Sequence, residues 1–143
     1  MASPELPPIR EATANDVDAV LAFWKAASDH ASVSDNPDSV RILLEHDTAW
    51  LLLAGRDADI EGTLVAAWDG WRGNFYRLAV HPARRRRGIA TALVAEGERR
   101  MNASRSRRNS AMVEGDDPAA TAFWTSVGYR LDPRLARYIK EAQ

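Results

Sequence analysis

Cysteine is absent from the 143 residues, which excludes disulfides, thiolate metal sites and a cysteine nucleophile. No apolar run approaches the roughly 20 residues of a membrane span, so no membrane partner is expected. Charge of one sign is also missing. The formal net charge is −1, which gives no global attraction for nucleic acid. Repeats, low-complexity tracts and long linkers are not found. The opening Met1–Pro8 lacks an apolar stretch and carries three prolines, so it does not read as a signal peptide, and the expected location is cytoplasmic.

What is present suits one domain over residues 1–143. Hydrophobic residues make up 45% and charged residues 27%, an ordinary globular balance. A chain of this length buries roughly 68–70% of its unfolded surface and needs no staples. Arginine is unevenly placed: Arg84 to Arg87 form one run, and Arg99, Arg100, Arg105, Arg107 and Arg108 follow. Acids such as Asp29, Asp35, Asp38, Glu45 and Asp47 balance them in the first half. The basic middle points to a local anion site, while the cluster from Arg99 onward reads as a solvated helix face.

Periodicity predicts a short strand at Ile9–Ala12 and a helix from about Asp16 to Ala27, with Val17, Val20, Leu21 and Trp24 on one face. A polar loop follows over Ser28–Asp38, then a short helix over Ser39–Glu45. Strands are predicted at Ala49–Ala54, Ile60–Trp68 and Phe75–Val80, with Asp69-Gly70 as a two-residue hairpin turn. Helical spacing resumes at Gly88 and runs to about Ser104. Ser110–Glu114 is a strand, Asp117 and Pro118 open a helix that Gly128 ends, and Tyr129–Leu131 and Ala136–Lys140 are two last strands. The expected fold is α/β (α+β), a mixed, mostly antiparallel sheet of about seven strands with about four helices and one parallel crossover.

The segment Val80 to Leu93 carries the chemistry. A strand runs into a turn, and small residues open a helix. A helix start presents free amides and the positive end of the dipole, so it holds phosphate. Gly88 leaves room for close backbone approach, Ala90 keeps it open, and Arg85, Arg86 and Arg87 add charge for a diphosphate. The absent Gly-Lys-Ser/Thr ending excludes a nucleotide P-loop, and the single glycine excludes a dinucleotide fingerprint.

These residues resemble the phosphate motif Gln/Arg-x-x-Gly-x-Gly/Ala of the GNAT family of N-acetyltransferases, here Arg85-x-x-Gly88-x-Ala90. Leu78-Ala79-Val80-His81-Pro82 is similar to the strand before that motif. Asp117-x-x-Ala120-x-x-Phe123-Trp124 resembles the family's Asn-x-x-Ala-x-x-Phe-Tyr helix, and Gly128-Tyr129 its Gly-Phe. The resemblance implies a GNAT-like sheet with the crossover at the cofactor site and acetyl-CoA as co-substrate, with no metal. Leu78, Ala79 and Val80 would face the pantetheine arm. The backbone around Arg86, Arg87, Gly88, Ile89, Ala90 and Thr91, with Arg85, would hold the pyrophosphate, and Asp117, Phe123 and Trp124 would complete the cofactor site. An amide at the end of the Phe75–Val80 strand would polarise the thioester carbonyl.

Two departures stand out. Trp124 occupies the usual tyrosine position, and an indole is no acid at neutral pH; packing accounts for it best. Asp117 replaces asparagine, an equivalent cap. An alkyl ammonium, with a pKa of about 10.4, has to lose a proton before attack. Glu61, Glu114 and His81 are the alternative bases, each as readily an ordinary surface or strand-end residue, and a water chain serves equally. The implied function is acetyl transfer to a primary amine of a small molecule, peptide or protein. The competing reading is a GNAT-like acyl-CoA-binding or regulatory module with little activity. The loop with Asp29, His30, Asp35 and Asp38 would border the acceptor, where its acids attract a cationic amine or are merely solvated. Trp68 and Trp71 flank the hairpin tip as acceptor-lining or packing residues. The uncovered sheet edges of a short chain admit a homodimer.

Overall fold

Strands whose side chains are apolar on both faces need cover on both sides, and the helices of this chain supply it. The computed structural model describes residues 5–28 and 30–142. Two compact units, Met1–Met112 and Val113–Gln143, make up the chain, and each is taken by itself.

The first unit holds a five-stranded sheet in sequential order: β1 (Ile9–Glu11), β2 (Ala49–Ala54), β3 (Gly62–Trp68), β4 (Gly73–Val80) and β5 (Asn109–Ala111). All neighbours are antiparallel except β4 and β5, which run parallel. The helices α1 (Val17–Ala27) and α2 (Pro37–Glu45) lie between β1 and β2 in the chain, and α3 (Ile89–Ala103) makes the crossover from β4 to β5. Single 3-10 turns occupy Ala14–Asp16 and Pro82–Arg84.

Burial explains the layers. Val17, Val20, Phe23, Trp24 and Val40 from α1 and α2 pack with Leu51, Leu53 and Val65 of the strands. Alternation turns Leu52, Leu64 and Phe75 to the opposite face, where α3 buries Ile89, Leu93, Val94 and Met101. Each such side chain contributes about 1.5–3 kcal/mol when fully buried. Gly97 lets α3 sit close: a β-carbon there would stand 2.8 Å from the Phe75 ring and 3.1 Å from Leu64.

Local chemistry moves several predicted boundaries. The second helix starts at Pro37 rather than Ser39, because the Asn36 side chain accepts from the Ser39 amide at 2.9 Å and Pro37 presets the first helical φ. The hairpin between β3 and β4 has four connecting residues, not two, since Trp68 pairs with Gly73. The Asp69 carboxylate closes that turn by accepting from the amides of Trp71 at 2.9 Å and Arg72 at 2.8 Å. The third strand begins at Gly62, which leaves Ile60 and Glu61 just before it, and β5 ends at Ala111, which leaves Glu114 off the strand.

In β4 the register slips. Val65 pairs with Tyr76 and Thr63 with Ala79, so Arg77 and Leu78 together oppose Leu64. This is a β-bulge, and Arg77 sits in it with a φ of +54°.

Among its described residues the second unit has one regular element, α4 (Pro118–Ser126). Asp117 caps it by accepting from the amides of Ala119 at 3.0 Å and Ala120 at 3.1 Å. Gly128, at φ +97°, ends it: the Tyr129 amide reaches the Trp124 carbonyl at 2.9 Å and the Gly128 amide the Thr125 carbonyl at 3.1 Å, a Schellman closure. The predicted strands Tyr129–Leu131 and Ala136–Lys140 do not form, so among the described residues the sheet has five strands instead of about seven. Pro133 carries no amide donor, and the Asp132 carboxylate takes the Arg134 amide at 3.1 Å. The segment thus spends backbone bonds on a local turn, and Leu131, Leu135 and Tyr138 stay exposed. Among the described residues no helix is long and apolar enough to cross a membrane.

Candidate functional site

Beyond Val80 the chain leaves the sheet through the Pro82–Arg84 turn and enters α3 at Gly88, the N-cap, with φ +88°. That left-handed conformation suits a residue without a β-carbon. The amides of Ile89, Ala90 and Thr91 lie in the first turn and have no intrahelical acceptor; Ala92 is the first to bond back, to the Gly88 carbonyl at 3.0 Å. Arg85, Arg86, Arg87 and Gly88 are exposed. Free donors, a positive dipole end and guanidinium charge therefore meet on an accessible surface. Arg86 adopts φ +64°, at a cost of about 1–2 kcal/mol to a residue with a β-carbon. A cavity of about 230 Å³ beside this loop is lined by Leu6, Glu61, Arg84, Arg87 and Ile89.

Upstream, β4 and β5 part. Their pairing runs from Gly73 and Asn109 to Phe75 and Ala111, and the Met112 amide makes the last bond, to the Phe75 carbonyl at 3.0 Å. From there to Val80, β4 has no strand on its β5 side among the described residues. The His81 amide bonds to the Glu61 carbonyl at 2.8 Å, so alternation directs the backbone groups of Ala79 toward β3 and those of Leu78 and Val80 toward the open edge. Arg85 Nε stands 3.4 Å from the Val80 carbonyl on that edge. The bulge sets this phase: were the alternation to run unbroken from Tyr76 through the same residues, Leu78 and Val80 would face β3.

Glu61 and His81, two of the candidate bases, have structural partners. Glu61 is buried, with 9% of its surface exposed, and is ion-paired with Arg84; it braces the 3-10 turn. His81 Nδ1 accepts from the Ala83 amide at 3.1 Å, which also makes it a turn cap. Glu114 is exposed, and its carbonyl takes the Asp117 amide at 3.1 Å. In the second unit Trp124 is buried, edge-on to Phe123 at 5.5 Å and to Tyr129 at 5.0 Å between ring centroids. Among the described residues no cluster of His, Cys, Asp and Glu could hold a metal ion.

On the face covered by α1 and α2 the structure adds residues that sequence reasoning missed. The Trp24 indole donates to the Thr63 hydroxyl at 3.0 Å, which donates to the Arg77 carbonyl at 2.9 Å. The Arg77 guanidinium stands 4.9 Å over the Trp24 ring and is ion-paired with Asp35. The one sequence signal was an arginine inside the apolar run Phe75–Val80. Of the acids expected to attract an amine, Asp35 is thus committed to Arg77, Asp38 is exposed beside Arg41, and Asp29 lies outside the described residues. A cavity of about 350 Å³ on this face is lined by Ile42, Leu43, Trp68, Asn74 and Tyr76. Trp71 is exposed and takes Arg72 over its ring instead.

Comparison with known proteins follows the same lines. Residues 17–129 match the model described as the acetyltransferase (GNAT) family. An acetyltransferase from Pectobacterium atrosepticum is 31% identical over 115 residues, 80% of this chain and 82% of that one. An aminoglycoside 6'-N-acetyltransferase from Acinetobacter haemolyticus superposes with a TM-score of 0.77 at 21% identity, over 95% of this chain and 99% of its own. An aminoglycoside N-acetyltransferase solved with CoA has a TM-score of 0.77 at 16% identity, over 99% and 100%.

Proposed function

The chain belongs to the acetyltransferase (GNAT) family, and from that premise we propose that it is a single-domain, cytoplasmic enzyme that moves the acetyl group of acetyl-CoA to a primary amine of a small molecule, peptide or protein. The observation that carries the proposal is the succession along the chain of an open strand edge at Leu78 and Val80 and a free helix start at Gly88. The first is suited to an extended amide-bearing arm and the second to a diphosphate. The residues therefore fit acetyl-CoA, which brings the activated acetyl thioester.

In this reading the amides of Ile89 to Thr91 and the charge of Arg85, Arg86 and Arg87 hold the diphosphate. Leu78 and Val80 pair with the arm. An open-edge amide of β4 donates to the thioester oxygen as it gains charge, the kind of donor worth about 2.7–4 kcal/mol in transition-state stabilisation. The amine approaches from the α1 and α2 face, where the cavity by Asn74 and Tyr76 lies. Glu61 and His81 are occupied by structural partners, which favours loss of the ammonium proton to water over a dedicated base. Thiolate, with a pKa of about 8.5, leaves without an acid, consistent with Trp124 at the usual tyrosine position. For Asp117, Phe123 and Trp124 the proposed cofactor role rests on the sequence motif alone.

Because aminoglycoside acetyltransferases share the fold, the test is thiol release from acetyl-CoA over a panel holding an aminoglycoside, a polyamine and a short peptide with a free α-amine. Turnover of any of them supports the proposal. Tight acetyl-CoA binding without turnover of any amine would replace it with the second reading, a cofactor-binding or regulatory module, which the missing tyrosine favours.

A further inference from the structure

Arg77 occupies a backbone position that glycine would adopt without strain, so its side chain is the reason to look for a role there. The guanidinium pairs with Asp35, and both side chains are shielded, at 21% and 17% exposure. Asp35 Oδ2 also accepts from the Ser32 amide at 3.1 Å, and the Asp35 amide donates to the Ser32 carbonyl at 3.0 Å. Arg77 is thereby tied to a closed turn in the segment between α1 and α2. The Trp24 ring below the guanidinium and the Thr63 hydroxyl on the Arg77 carbonyl fix the other end of the tie.

The location matters more than the bond. Arg77 lies between Phe75, the last residue bonded toward β5, and Leu78, the first with backbone groups on the open edge. The turn is therefore held at the point where the split begins. The free helix start belongs to α3 on one face of the sheet, and the turn belongs to the other. In the acetyl-transfer reading the diphosphate lies at the α3 start, and the second substrate then approaches the split from the face that carries this turn.

We propose that Arg77 is a positioning residue for the acceptor: its pair with Asp35 holds the Ser32–Asn36 turn at the bulge and sets the approach of the primary amine. The inference rests on the acetyl-transfer reading above. It also assigns Asp35 a structural role, as the counter-charge of Arg77 and not of the incoming amine.

Two variants test it. Arg77→Gly suits the backbone and removes the guanidinium, while Asp35→Asn keeps shape and removes charge. With the best amine of the panel, each raises the KM for the amine about tenfold and leaves the KM for acetyl-CoA within about twofold. The exchanged pair Arg77→Asp with Asp35→Arg recovers most of the loss, because aspartate tolerates the left-handed position. In the free protein, hydrogen exchange at the amides of Ser32 to Asn36 speeds up about tenfold in Arg77→Gly. Unchanged amine KM in both variants, or unchanged exchange in that turn, overturns the proposal. Failure of the unsubstituted protein to acetylate any amine sinks the acetyl-transfer reading instead, and the exchange measurement still decides whether Arg77 holds the turn.

Discussion

The two ends of the working stretch of β4 are built in opposite ways. Past its C-terminal end, the Gly88 loop offers backbone: first-turn amides, a left-handed glycine and exposed arginines with few fixed partners. At mid-strand, the Arg77 corner is built from side chains drawn from four separate segments, Trp24, Asp35, Thr63 and Arg77, joined by buried or shielded polar contacts. The first arrangement suits a ligand that itself carries the charge and supplies the missing acceptors. The second suits a fixed shape that a ligand approaches without rearranging. Backbone donors remain available whatever side chains change nearby, whereas the side-chain corner fails when any one member is removed.

The sharpest way to break this contrast is at Gly88. Gly88→Glu strains the left-handed cap and puts a carboxylate where the diphosphate would lie. Calorimetry is expected to show acetyl-CoA affinity down about 100-fold or more, and unchanged affinity would remove the loop from the site. Next in size is Thr63→Val, which keeps volume but takes away the acceptor of the Trp24 indole and the donor to the Arg77 carbonyl. Urea unfolding should show a loss of about 1–3 kcal/mol, with acetyl-CoA affinity unchanged; loss of affinity instead would mean the two regions are not separate.

A third comparison uses pH. Asp16 is held at about 2, from an ordinary 3.8, chiefly by hydrogen bonds from Arg10, against the opposing effect of burial. A lowered carboxylate contributes stability above its ordinary range and loses it as pH falls through about 2. The stability gap between the protein and Asp16→Asn is expected to shrink by about 1 kcal/mol between pH values of about 5 and 2, the exposed Arg10 limiting the effect. A constant gap would show that this pair does not anchor the start of α1. Smallest is Arg86→Gly, which relieves the left-handed strain at φ +64° but frees the unfolded chain. A net gain of about 0.5 kcal/mol should accompany a modest, salt-dependent weakening of acetyl-CoA binding. A large loss would mean that the loop depends on side chains after all.

Legibility from sequence follows the same division. The Gly88 loop was readable because its parts are adjacent: a strand end, arginines, one glycine and a helix start within a few residues. The same holds for the Asp117 cap and the Gly128 stop, which are local hydrogen-bond problems. The Arg77 corner was not readable, since its residues are distant in the chain and meet only once the sheet is in register and the bulge is formed. The tail was over-read for the complementary reason. Alternation in Tyr129–Leu131 and Ala136–Lys140 describes what a strand would look like, but a strand also needs a neighbour, and Pro133 and Asp132 turn the backbone on itself first. Glu61 and His81 are candidate bases by position, and the partners the structure gives them, Arg84 and the Ala83 amide, are set by the turn after β4.

The slip in β4 makes the count of residues as consequential as their kind. Were the period of two to run on unbroken from Tyr76 with no residue lost, everything after it would rotate by half a cycle, so that Ala79 would address the gap and its neighbours would turn away. Loss of the one extra residue would keep Ala79 opposite Thr63 and the phase intact, while the same number of residues drawn into a regular strand would invert it.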